Sequence, residues 1–145
     1  MPTSAQDFSK KISIIVDKSL PSWQVLNTVG HVSAYFGNQL AENFDTGDFF
    51  TTKDSIHLPR NSQYPIVIMS ANSSQQLQNL AAKVRPLVTV KAMFFIKEMI
   101  ETTDDGELEQ QVSLQNESEL VYLGVGLFGT NEELKQLTNK FKLWS

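Results

Sequence analysis

Lys11-Ile-Ser-Ile-Ile-Val-Asp17 runs through Lys18 into Ser19-Leu-Pro-Ser-Trp-Gln-Val-Leu-Asn-Thr-Val-Gly-His31, and the reading of this stretch decides the fold. The first run is β-branched and ends on an acid, as a strand buried on both faces would. The second offers helix-start chemistry in Ser19, Pro21 and Ser22: hydroxyls able to cap free amides, and a proline tolerated in a first turn. It predicts a helix from Ser22 to Glu42. Leu26, Val29, Ser33, Phe36 and Leu40 recur at steps of three and four as its inward stripe. Gly30 and Gly37 fall on or near that stripe, where small residues are expected to let the helix lie close to a sheet.

Working outward, Tyr64–Met69 reads as a second core strand, with Pro65 acceptable at its start. Ser73 and Gln76 have capping-box spacing ahead of Leu77, Leu80, Ala81 and Val84, and that helix stops before Pro86. Val88–Ile96 is a third strand. Leu120–Phe128 is a fourth, interrupted by Gly124 and Gly126, where glycine suggests close backbone approach or a bulge. Thr130 and Glu133 repeat the capping-box spacing, and Leu134, Leu137 and Phe141 give the last helix its apolar face. Asn43–Gln63 reads as a loop with one short strand. The acidic stretch Glu98–Glu119 fits either a hairpin turned at Asp105-Gly106 or a short helix.

Strands alternating with helices in this order predict an α/β fold, a three-layer α/β/α sandwich around a mainly parallel sheet. A chain of 145 residues fits a single domain over 1–145, with residues 1–10 expected as a flexible N-terminal tail. Sheets of this kind bind ligands beyond the carboxyl ends of their strands. Asp17–Trp23, Ser70–Ser74 and the turn near Lys97 would lie on that rim.

Composition removes several function classes. There is no cysteine, so disulfide frameworks, thiolate zinc sites, iron–sulfur clusters and thiol nucleophiles are excluded. A net charge of -4 argues against nucleic acid as a partner, because that affinity rests on neutralising phosphates with Lys and Arg. Met1–Lys10 carries no apolar run, and no later segment approaches the ~20 apolar residues of a spanning helix. A cytoplasmic protein without a membrane anchor is therefore expected. Gly124-Val-Gly-Leu-Phe-Gly129 has the glycine spacing of a dinucleotide fingerprint. However, its first two glycines interrupt a strand instead of opening a turn, so no cofactor is expected. His31 and His57 stand alone without carboxylate clusters, and no metal site is expected.

Helical geometry puts Trp23, Asn27 and His31 at i, i+4 and i+8, on one stripe near the rim. There Asn27 can orient a substrate while His31 carries a proton or a hydrogen bond. The same residues also fit a packed indole and a satisfied, half-buried imidazole. Asp17 ends the first strand, where a carboxylate serves as a general base or as a turn residue.

The β-branched strand, the Leu20-Pro21 helix entry, His31, and the closing runs Tyr122-Leu-Gly-Val-Gly-Leu-Phe-Gly129 and Leu137-Thr-Asn-Lys-Phe-Lys-Leu143 resemble the peptidyl-tRNA hydrolase type-two fold. A closer similarity, carried by Leu20-Pro-Ser-Trp-Gln-Val-Leu-Asn27, is to an uncharacterised bacterial family known as domain of unknown function two-thousand. The resemblance covers most of residues 11–143. It implies a four-stranded mixed sheet flanked by helices, the last strand antiparallel, and a homodimer. Hydrolases of this type open the first helix with a Gly-Lys-Gly-Lys-like segment whose lysine works at the ester linking peptide and tRNA. They also place an Asp-Ala-Gly-like turn after the third strand.

With His31 aligned to the family's histidine, Gln24 stands where that lysine would be, and Lys18 is the nearest substitute. Phe95-Ile-Lys-Glu-Met99 has no Asp-Ala-Gly. An amide is neither a cation for phosphate nor a titratable amine, so the familiar hydrolysis is not expected.

The leading expectation is a domain that binds a small-molecule or peptide-like ligand at the rim, using Trp23, Gln24, Asn27 and Lys18 beside Asp17 and His31. A divergent hydrolase of an ester or amide, with His31 or Asp17 as base, is the alternative. A non-enzymatic homodimer joined through Trp23 and Phe49-Phe50 is a third.

Overall fold

The structure, a computed structural model, describes residues 6–145. The expected tail falls partly outside the described residues. Within them, Asp7 donates its backbone N–H to the Gln63 carbonyl at 2.7 Å and the Ser9 carbonyl accepts from the Asn131 N–H at 2.9 Å, so residues 7–9 are bonded to the body.

β1 (Lys10–Asp17) lies at the centre of a five-stranded sheet. Its neighbours are β4 (Ile66–Ala71), parallel with Ile12 beside Ile66, and β6 (Tyr122–Thr130), antiparallel with Ile12 beside Phe128. β5 (Lys91–Ile96) lies antiparallel outside β6, and β7 (Lys142–Leu143) antiparallel outside β4. The order is β5-β6-β1-β4-β7.

This corrects the expectation of a four-stranded, mainly parallel sheet. β1, β4 and β5 do run the same way, but β6 inserts between β1 and β5 in the opposite sense. Only β1–β4 is then a parallel ladder, and the sheet is mixed and mostly antiparallel. The fifth strand was hidden because Phe141 extended the apolar pattern of the last helix, α5. That helix covers only Asn131–Leu137; past it, the Thr138 hydroxyl donates to the Leu134 carbonyl at 2.7 Å, and the chain then turns back to pair with β4.

Helices cover both faces. α1 (Ser22–Leu40) packs on one, over Ile12, Ile14, Val16, Phe95, Leu123 and Phe128. α2 (Ser74–Val84) and α5 pack on the other, around Ile15, Val125 and Leu127. The buried residues of α1 are Val25, Thr28, Val32, Phe36 and Leu40, so its inward stripe begins one residue earlier than the sequence suggested, and Leu26 is 71% exposed. Thr28 obscured the pattern: it is a core position whose hydroxyl is satisfied by the Gln24 carbonyl at 2.7 Å. The glycines that permit close packing are not Gly30, which faces open space, or Gly37, but Gly124 and Gly126 of β6. A Cβ on Gly126 would overlap Val32, and one on Gly124 would come within 2.5 Å of Thr28 Cγ2.

Two further segments resolve open readings. Residues 49–59 form a separate hairpin of β2 (Phe49–Thr51) and β3 (His57–Pro59), two strands where one was expected. The acidic stretch is helical, with α3 (Lys97–Glu101) and α4 (Asp105–Ser113). Asp104 caps α4 by accepting from the Gly106 and Glu107 N–H groups at 2.8 and 3.2 Å, so Asp105-Gly106 opens a helix rather than a hairpin turn.

Candidate ligand site at the strand tips

β1, β4 and β5 end at one edge of the sheet, at Asp17, Ala71 and Ile96, and β6 and β7 begin there. The turn after β1 is built by Asp17, which is 6% exposed. Its Oδ1 accepts from the Ser19 backbone N–H at 2.9 Å and from the Ser19 hydroxyl at 2.7 Å. The Lys18 N–H donates to the Ala71 carbonyl at 3.0 Å, locking the turn to the end of β4. Ser19 is thereby committed to Asp17, and α1 starts at Ser22 behind Pro21 at the cap position, with no side-chain cap, contrary to the expected hydroxyl capping.

On the β4 side of this turn lies a hollow of about 200 Å³ lined by Lys18, Ser70, Asn72, Gln76, Lys140 and Lys142. Its walls are positioned by backbone pairing: Ser70 stands beside Lys142 in the β4–β7 ladder. The Asn72 N–H donates to Gln76 Oε1 at 2.8 Å, which draws the first turn of α2 against the end of β4. Ser73 caps the same helix by accepting from the Gln76 N–H at 3.4 Å. Among the described residues the ion pairs are Arg85–Glu117 and Lys97–Glu101, so no carboxylate neutralises Lys18, Lys140 or Lys142.

Two neighbouring depressions differ in character. On the β5–β6 side, Leu20, Gln24, Ile100 and Val121 line a hollow of about 320 Å³ in which Lys97 is paired with Glu101 at 3.5 Å. Along the outer side of α1, Leu26, Asn27, Gly30, His31 and Ala34 line a shallow, open groove. His31 is exposed, and its ring stacks on Phe95 at 5.1 Å between centroids and 19° between planes. Trp23, about two turns back from His31, is 60% exposed.

The residues singled out from the sequence are therefore distributed. Asn27 and His31 share the outer groove, Trp23 is exposed and outside its lining, Gln24 faces the β5–β6 hollow, Lys18 the lysine hollow, and Asp17 holds the turn after β1. His57 lies in the β2–β3 hairpin, its Nδ1 3.0 Å from Thr51 Oγ1 and its ring beside Phe49; Phe49 and Phe50 are exposed. Among the described residues no group of three or more His, Asp or Glu side chains could hold a metal ion, and no helix is long and apolar enough to cross a membrane.

Sequence reasoning missed Gln76, Lys140 and Lys142. Lys140 lies in the turn after α5 and Lys142 opens β7, a change of direction masked by assigning this segment to a helix.

A polar clamp closes the same edge beyond β5. The Tyr122 hydroxyl donates to Glu117 Oε1 at 2.8 Å, and the Arg85 guanidinium donates to Glu117 at 2.8 Å and to the Tyr122 oxygen. Burial, together with the bond to Glu117, pushes the Tyr122 hydroxyl up to about 12. The bonds from Tyr122 and Arg85 hold the Glu117 carboxyl below its ordinary value.

Residues 10–145 match the family described as protein of unknown function (DUF2000). The chain belongs to this family. A search of curated proteins gives no match. The fold is similar to the solved structure of a protein of unknown function from Agrobacterium tumefaciens, with a TM-score of 0.83 and 22% identity over 96% of this chain and 100% of that one. The edge formed by Asp17, Ala71 and Ile96 thus belongs to a fold seen in a second protein, from which no activity is carried over.

Proposed function

We propose that the chain is a cytoplasmic binding domain of peptidyl-tRNA hydrolase type-two-like architecture that takes a small anionic ligand at the carboxyl ends of β1 and β4. One observation carries the reading: Lys18, Lys140 and Lys142 line a single hollow with Ser70, Asn72 and Gln76, and none of the three is in an ion pair among the described residues. Like charges gathered round one concavity repel each other and raise its positive potential, which an anion relieves. The surrounding amide and hydroxyl groups supply orienting hydrogen bonds, as in ligand pockets generally. The ligand class is a carboxylate or phosphate, including the carboxylate of a peptide-like molecule.

Binding is favoured over hydrolysis because neither candidate base lines the lysine hollow. Asp17 holds the turn through Oδ1 and Ser19, and His31 lines the outer groove of α1. A general base needs hydrogen-bond reach to the proton it removes, and Gln24 supplies no amine.

Inorganic phosphate titrated into the labelled protein, followed by amide NMR, tests the proposal. Saturable shifts centred on Lys18, Asn72, Gln76 and Lys142 are expected, with Lys142→Gln weakening the affinity roughly tenfold, the scale of a lost charged hydrogen bond. Shifts that do not saturate, or that spread over lysines outside the hollow, would refute it.

A further inference from the structure

The lysine hollow has a neighbour. Gln76 and Lys140 line it and also line a second cavity, of about 160 Å³, between α2 and α5. There α2 contributes Asn79, Leu80 and Lys83, and the end of α5 with the turn after it contributes Leu137 and Phe141. This is roughly ten times the space that a single water requires. Its walls change from polar at the strand tips to apolar between the helices. The stems of Lys83 and Lys140 extend that apolar wall and keep their charges at the surface.

We infer that the ligand is an amphiphilic organic anion, a free alkyl or aryl carboxylate or phosphate monoester, whose charged head sits among Lys18, Lys140 and Lys142 and whose apolar body lies between α2 and α5. This rests on the anion-binding reading above. It adds that the two cavities act as one site, joined at Gln76 and Lys140. A site for a bare inorganic anion has no use for the Leu80–Leu137–Phe141 wall, and a site for a neutral apolar molecule has no use for three uncompensated ammonium groups at one end. Their adjacency, with Gln76 and Lys140 in both walls, selects a molecule with both parts.

The test is calorimetric titration with inorganic phosphate, n-butyl phosphate and n-hexyl phosphate below micellar concentrations, with n-hexanol and with vesicles containing phosphatidic acid. Affinity is expected to rise about two- to fourfold per added methylene, the range set by apolar burial, with n-hexanol far weaker than n-hexyl phosphate. Asn79→Phe, at an exposed helix position that leaves the core untouched, and Phe141→Ala should flatten that dependence. Neither should change the affinity for inorganic phosphate, whereas Lys142→Gln should weaken every anion.

If phosphate binds in the hollow and chain length has no effect, the inference fails while the anion reading stands. If no anion binds, both fail. Chain-length dependence that survives both cleft variants, equal binding of n-hexanol, or binding to vesicles alone would each overturn the inference.

Discussion

The two faces of the sheet are covered in different ways, and the difference explains where a ligand can enter. One face carries a single helix of 19 residues, α1, seated so closely on β6 that Gly124 and Gly126 have no room for a Cβ. Its openings lie at its margins: a shallow groove along its outer side and the hollow of about 320 Å³ beside its first turn. The other face is shared by α2, of 11 residues, and α5, of 7, and two short helices do not close the surface that one long helix does. The gap between them shares Gln76 and Lys140 with the lysine hollow at the strand tips. Continuous cover leaves openings only at its margins, and divided cover leaves one between the helices.

The contrast is most severely tested at equivalent glycines on the two sides. A Cβ on Gly126 would overlap Val32 and come within 2.7 Å of Phe36 Cε2, whereas one on Gly129 would meet Val90 and Leu134 at ordinary contact distances of 3.5 and 3.7 Å. Gly126→Ala should therefore destabilise the fold by about 2–3 kcal/mol, as overpacking of a filled core does. Gly129→Ala should change stability by less than about 1 kcal/mol. Chemical denaturation of the two variants measures both. Equal costs would mean that the α2–α5 side is packed as tightly as the α1 side.

Tyr122 joins the end of β6 to the last turn of α2 through Arg85 and Glu117, and is 1% exposed. Tyr122→Phe removes the hydroxyl shared by these bonds, at an expected cost of about 1–3 kcal/mol. The pH dependence is specific. Folding raises the phenol from 10.0 to about 12, so the folded state holds a proton that the unfolded chain releases first. The stabilisation is complete below pH 10 and disappears as pH climbs to about 12. Melting temperature should decline through that window in the natural protein, and the Phe variant should lack the Tyr122 share of the decline.

How far the sequence reached depends on whether residues act through neighbours in the chain. The β-branched run before Asp17, the helix starting at Ser22, the caps Ser73 and Thr130, and the close approach at Gly124 and Gly126 were legible because each is a local pattern. The polarity of Thr28 shifted the inward face of α1 by one residue, since a hydroxyl bonded to its own helix packs like an apolar group. Strand order was not legible: no local feature says that β6 enters between β1 and β5, and that one insertion makes the sheet mostly antiparallel. The lysine hollow escaped for the same reason, because Lys18, Gln76 and Lys142 meet only after two crossovers and the final turn.

His31 separates a packing role from a ligand role on the α1 side. Its ring covers Phe95, which is buried, and stacking of this type contributes about 0.5–1.5 kcal/mol. His31→Ala should cost that much in thermal or chemical denaturation while leaving phosphate binding in the lysine hollow unchanged. A loss of anion affinity in a folded His31→Ala protein would shift the functional centre to the outer groove of α1.

The smallest effect is expected on the opposite face, at Ser13 of β1. Its side chain is fully buried on the Ile15 side of the strand, and its hydroxyl has no hydrogen-bond partner among the described residues. A buried hydroxyl without a partner loses its bonds to water on folding and gains nothing in exchange. Ser13→Ala removes that penalty and leaves a void no larger than one oxygen, so stability should stay level or rise by up to about 1 kcal/mol. Denaturation midpoints of the two proteins decide it. A clear loss of stability would mean that the hydroxyl is hydrogen-bonded in solution, and the face beneath α2 and α5 would then hold water as well as an opening.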